Sequence, residues 1–154
     1  MKSFIAFLFI AISIPAMAQT MEARRAKAEM LQRTIDLENH AKEAKRQFRA
    51  LDIAKACTDV AYLKTHTRAH TNSVLNRMNS NKRSVRRMQD EAVRVMQIAS
   101  SVNSDCLSEN HNSIDPELAA RMMHEYADHM HDHRVRIEDR SVEFDNSFDY
   151  EYEY

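Results

Sequence analysis

The residues best equipped for chemistry lie late in the chain, in His124-Glu125-Tyr126-Ala127-Asp128-His129-Met130-His131-Asp132-His133. Four histidines in ten residues offer imidazole nitrogens of the kind that bind Zn, Cu or Ni. Read as a helix at about 100° per residue, His124, Asp128 and His131 fall in one narrow arc on the polar side. His129 and His133 point elsewhere, His133 towards the middle of the apolar face. Either subset suits chelation, but one helix cannot bring all four histidines to a single ion. On a strand His129, His131 and His133 would share a side, yet Pro116 and the apolar periodicity argue for a helix. The competing reading is a solvated histidine-rich face with His133 packed among methionines. His124 to Asp128 also has the outline of a zinc-protease motif, but Asp128 stands where the second histidine should be.

His66 and His70 form a second pair at four-residue spacing, and they complete a four-ligand site only if the chain folds them against His124 or His129. The methionines suit copper, but Met30, Met78, Met88, Met122 and Met130 recur at packing-seam spacing, which reads as core. Lys82, Arg83, Arg86 and Arg87 make the densest basic patch, open to a polyanion or an acidic protein. Nucleic acid is disfavoured as the partner, because no aromatic side chain stands nearby to stack on bases. Cys57 and Cys106 are the only cysteines, and in an exported chain they predict one disulfide.

Other chemistry is excluded by composition. The chain contains no glycine, so it lacks the residue that phosphate-cradling loops, dinucleotide fingerprints and strained nucleophile turns require. No nucleophile triad or paired-carboxylate arrangement stands out, so the chain is not expected to be an enzyme. Tight β-hairpins also lean on glycine, which leaves long helices as the scaffold.

Residues 1–18 read as a cleaved signal peptide: a basic start, an apolar run from Phe4 to Ile14, Pro15, then Ala16-Met17-Ala18 before Gln19. The product is expected outside the cytoplasm, in a bacterial periplasm or the extracellular space, with eukaryotic secretion also open. Residues 19–140 read as one helical domain. A helix over about 20–62 carries Ala23, Met30, Leu37, Ala44 and Leu51 every seven residues. A second, over about 72–103, follows the stripe Val74, Met78, Asn81, Val85, Met88, Ala92, Val95, Ala99, Val102 and Cys106. A turn or kink near 79–81 breaks it, and 65–73 is the alternative place for the chain to turn back. A Cys57–Cys106 bridge across an antiparallel hairpin favours 79–81, the midpoint of the two numbers. Asn103 to Asp115 reads as a loop. Asp115-Pro116-Glu117 then opens a helix over 116–140, with a capping carboxylate and a proline in the first turn.

Charge is divided along the chain. Residues 19–100 hold seventeen Lys and Arg against nine Asp and Glu, whereas 101–154 hold four against fourteen. Residues 141–154, acidic and tyrosine-rich, read as a disordered tail. The expected fold is all-α: an elongated antiparallel helical hairpin or three-helix bundle with coiled-coil-like seams. With so thin a seam, the chain is expected to self-associate or to pack on a protein partner through its helix seams. The function that follows is an exported, non-enzymatic helical scaffold or interaction protein needing no cofactor. A metal-binding protein using His124, Asp128, His129, His131 and His133 with Zn, Cu or Ni is the alternative.

Overall fold

The computed structural model describes residues 3–78, 83–108 and 114–139, with side chains from residue 21 onward. Its helices are α1 (Ser3–Arg49), α2 (Ile53–Arg77), α3 (Arg83–Leu107) and α4 (Pro116–Glu138), and no strand occurs among the described residues. Cross-helix contacts set the arrangement. Arg33 of α1 reaches Ala69 and Ser73 of α2, Lys64 of α2 reaches Ser100 of α3, Arg136 of α4 pairs with Glu91 of α3, and Arg134 of α4 faces Glu38 of α1. Each helix is thus antiparallel to the next, and α4 returns beside α1, closing an up-down-up-down bundle.

The helix expected over 20–62 is divided at 50–52, and this break creates the fourth helix. Leu51 N–H donates to the Phe48 carbonyl (3.0 Å) and Asp52 N–H to the Gln47 carbonyl (2.9 Å), the paired bonds of a Schellman C-cap. The motif requires a left-handed residue, and Leu51 supplies it at φ 59°. Glycine usually fills that position, so a chain without glycine hides the stop behind an ordinary helix former. Asp52 then caps α2, with its carboxylate 3.5 Å from the Lys55 N–H and 2.9 Å from the Lys55 ammonium.

The alternative turn region 65–73 lies inside α2. The turn expected at 79–81 lies outside the described residues, between the end of α2 at Arg77 and the start of α3 at Arg83. The Val74–Cys106 stripe is therefore shared by two helices. Val74 and Met78 close one side, Val85, Met88, Ala92, Val95, Ala99, Val102 and Cys106 close the other, and all nine are buried. α3 continues to Leu107, beyond the loop start expected at Asn103, because exposed Ser104 and Asp105 and half-buried Asn103 leave buried Val102 and Cys106 on the inner face. α4 begins where its caps dictate, with the Asp115 carboxylate accepting from the N–H groups of Glu117 (3.0 Å) and Leu118 (3.1 Å). The proposed tail, 141–154, lies outside the described residues.

The four seams converge on one another in the interior of the bundle. The larger apolar cluster gathers Leu37, Phe48, Leu63, Val95, Val102, Tyr126 and Met130 at the end that carries the disulfide. The smaller gathers Met30, Val74, Met78, Val85, Met88 and Ile137 at the other end. On every helix a polar residue separates the two: Thr34 between Met30 and Leu37, His70 between Leu63 and Val74, Glu91 between Met88 and Val95, His133 between Met130 and Ile137. A polar layer thus crosses the bundle between two apolar halves. No described helix is long and apolar enough to cross a membrane.

Candidate functional site

The helix α4 separates the histidines that the sequence grouped. His124 and His129 stay on its outer side, with His124 Nδ1 3.3 Å from Asp128 Oδ1 and His129 Nε2 3.7 Å from Glu125 Oε1. They line a shallow groove that mixes the carboxylates of Glu125, Asp128 and Asp132 with Arg94 and Arg121, whose guanidinium groups oppose a bound cation. Arg94 already pairs with Glu125 there. His131 leaves the group: it accepts a hydrogen bond from Arg134 (2.9 Å) and lies 3.5 Å from Glu38 of α1. His133 points into the core and is fully buried. Among the described residues no set of three or more His, Cys, Asp and Glu is placed to hold a metal ion. The five-residue set is not assembled: His124 and Asp128 share a face, but the helix turns His133 into the core, and His131 is taken by Glu38 and Arg134.

What the fold builds instead is the polar layer. His70 of α2 and His133 of α4 are both fully buried, and His70 Nε2 lies 2.9 Å from His133 Nδ1. The outer nitrogen of His133, Nε2, faces Glu91 Oε2 of α3 at 3.5 Å. Glu91 is itself held by Arg136 of α4 and by Arg87, at 2.9 Å, within α3. These distances select a tautomer. If His133 carries its proton on Nε2, an N–H faces the Glu91 carboxylate and the Nδ1 lone pair accepts from His70 Nε2–H. The opposite assignment turns a lone pair towards the carboxylate. The favoured assignment leaves His70 Nδ1 as a buried acceptor without a hydrogen-bond partner among the described residues, and His133 Nε2, 3.5 Å from Glu91, meets the carboxylate through charge and not through a made hydrogen bond.

Burial governs the titration of this layer. It pushes His70 well below the ordinary imidazole range, with neighbouring His133 and Arg33 acting the same way. Burial lowers His133 too, against the opposing pull of the Glu91 carboxylate. For Glu91, burial works to raise the carboxyl, but His133, Arg136 and Arg87 outweigh it and hold the group far below the usual carboxylate range. The layer at neutral pH is thus two neutral imidazoles beside one ionised, paired carboxylate.

Two further polar contacts flank it. Thr67 Oγ1 and the buried Tyr126 hydroxyl share a 2.6 Å hydrogen bond across α2 and α4. Glu38, paired with Lys42 one helical turn on, is buried and also faces Arg134 and His131. On the outer side of α1 and α2, His40 is bonded to Asp59 (2.6 Å) and stacks on Tyr62, which meets His66 in a tilted ring contact. His66 and His70 therefore serve different surroundings and do not converge on His124 or His129.

The basic patch is partly described. Arg83, Arg86 and Arg87 are exposed in the opening turns of α3, and Lys82 lies outside the described residues. No acidic residue occupies the first turn of α3, so these cations stand at the positive end of its dipole. Cys57 and Cys106 form the disulfide joining α2 to α3, with Cα atoms 5.5 Å apart. Sequence reasoning missed Glu91 and the partnership of His70. The available signal was the run Leu63-Thr67-His70-Val74, whose four- and three-residue steps place His70 on the buried stripe.

The fold defines the class, an antiparallel four-helix bundle with one cross-helix disulfide and a polar layer in its core. Compared with protein-family models, curated proteins and solved structures, the chain matches none.

Proposed function

We propose that this chain is an exported, non-enzymatic helical interaction protein, cleaved before Gln19, whose outer charged faces bind an acidic partner. The observation that carries the reading is the start of α3. Arg83 and Arg86 stand exposed in the first turn of α3, at the positive end of the helix dipole, and exposed Arg87 follows with its guanidinium engaged by Glu91. A locally unfavourable charge arrangement on an otherwise consistent bundle is what a binding surface looks like. The inward convergence of the seams gives this reading further weight, since it leaves the polar faces as the contact area. Partner binding or self-association then uses those faces and not the seams.

Native mass spectrometry of untagged protein from its own compartment, with heparin affinity as a polyanion probe, tests the proposal. The reading expects a mass starting at Gln19, a two-hydrogen deficit for the disulfide, and heparin retention that weakens with salt and drops on joint Arg83→Glu, Arg86→Glu substitution. Retention unaffected by those substitutions would refute the surface. A stoichiometric metal ion lost on His124→Ala substitution would replace this reading with the metal-binding one.

A further inference from the structure

We propose that the His70–His133 pair is an acid-sensitive latch: loading it with protons releases the half of the bundle built on Met30, Val74, Met88 and Ile137, while the disulfide-pinned half stays closed. The pair joins α2 to α4 diagonally through the core, at the boundary between the two apolar clusters. Its proton count decides whether it attracts or repels.

With no added proton, His70 Nε2–H donates to His133 Nδ1, and His133 Nε2–H faces Glu91. One added proton converts His133 to an imidazolium lying between Glu91 and His70. The hydrogen bond then reverses, with His133 Nδ1–H donating to His70 Nε2, and the buried orphan at His70 Nδ1 becomes a donor. A second proton makes both facing nitrogens N–H donors 2.9 Å apart, and the two positive rings can no longer touch.

The surrounding charges do not rescue the doubly protonated pair. From α1, the Arg33 guanidinium adds positive charge near His70 while it holds the Ala69 carbonyl and Ser73. From α4, Arg136 and His129 add to the positive field at His133, and Asp132 is engaged with Arg136. From α3, Glu91 is the one carboxylate among the described residues that faces the pair, and Arg87 and Arg136 already neutralise it. Next along the core, Glu38 of α1 is engaged by Lys42, His131 and Arg134.

The direction of opening follows from the cross-link. Cys57–Cys106 clamps α2 to α3 inside the larger cluster, so that half resists separation. The smaller cluster has no covalent link and ends where α2 hands over to α3. It is also the methionine-rich half, holding Met30, Met78 and Met88, so acidification uncovers a soft apolar surface that neutral pH conceals.

Hydrogen exchange of the purified full chain at pH 7.5 and 5.0, corrected for intrinsic rates, reads the latch directly. In the open state the imidazoles titrate near their ordinary value of about 6.5, so, with the closed rings neutral, the opening constant rises by up to about 30-fold for one histidine and up to about 1,000-fold for both. That rise is expected in residues 25–33, 70–77, 83–91 and 133–138. Residues 54–63, 95–106 and 119–127 should change by less than about threefold, the part left to ordinary carboxylates in this range. The double substitution His70→Gln, His133→Asn keeps amide atoms near the Nε2 and Nδ1 positions and removes both protonation sites, so its opening should be flat between the two pH values. A flat wild type, both halves opening together, or a rise that survives in the double variant would each overturn the latch. If that variant does not fold, imidazole NMR of the wild type decides the matter. Both rings must stay neutral in the closed bundle at pH 6, and ordinary titration of either near 6.5 would overturn the proposal.

Discussion

Removing the disulfide gives the most direct test of how the bundle holds its halves together. The bridge closes a loop with a sequence separation of 49, between helices that already lie antiparallel. In the chain-entropy account a loop of about 50 residues restricts the unfolded chain by about 14 cal/mol/K, or about 4 kcal/mol at 25 °C. Single domains have total stabilities of about 5–15 kcal/mol, so this is a large share. For a bundle of this size 1 kcal/mol moves the melting midpoint by about 4 °C, which gives a fall of about 16 °C. The paired substitution Cys57→Ala, Cys106→Ala adds a second loss, because Cys106 is almost fully buried in the larger cluster. Thiol reduction of the wild type isolates the cross-link, and the double variant reports both effects. Thermal melts followed by circular dichroism, with thiol trapping to confirm the redox state, provide the assay. A fully reduced protein melting within about 3 °C of the oxidised one would refute the reasoning, since the cross-link would then restrict little that the unfolded chain explores.

Leu51→Gly should stabilise the protein by about 1 kcal/mol, because glycine adopts the left-handed C-cap without the cost of about 1–2 kcal/mol that a Cβ imposes, and Leu51 is mostly exposed and so loses little packing. A urea midpoint lower than wild type would show that the cap is not strained. Acid should destabilise the bundle in a second window, separate from that of the histidines. Glu38 and Glu91 are both held below their ordinary value of 4.5 in the fold, so the unfolded chain takes up their protons first as pH falls. Their stabilisation is full above pH 4.5 and is lost as pH falls below it, at up to about 1.4 kcal/mol per pH unit for each group. Glu91→Gln should flatten that slope between pH 4.5 and 3, and an unchanged slope in urea titrations would remove Glu91 from the account.

Much of the local structure is written in the chain. Seven-residue apolar spacing, the lack of glycine and the Asp115-Pro116 cap determine an all-helical fold and the start of α4. The phase of α4 places His133 on the apolar face, where it is found buried. The division between α1 and α2 was hidden because its cap uses Leu51 and not glycine, so the only local mark was Asp52. Glu38 and Lys42 satisfy the four-residue pairing rule along α1 whatever else approaches, so the spacing carries no sign of a further partner. Only the bundle brings Arg134 and His131 across to Glu38.

The polar layer marks the limit of sequence reading most sharply. His70 and His133 are 63 residues apart, and Glu91 stands on a third helix. Each is placed on its own helix by hydrogen bonds that span four residues, which a sequence reveals. Their meeting depends on how far each helix slides and rotates against its neighbours, which is fixed by side-chain packing across the whole bundle. The sequence by itself therefore determined which residues turn inward. Tertiary structure alone decided that two histidines and a glutamate turn inward at the same level.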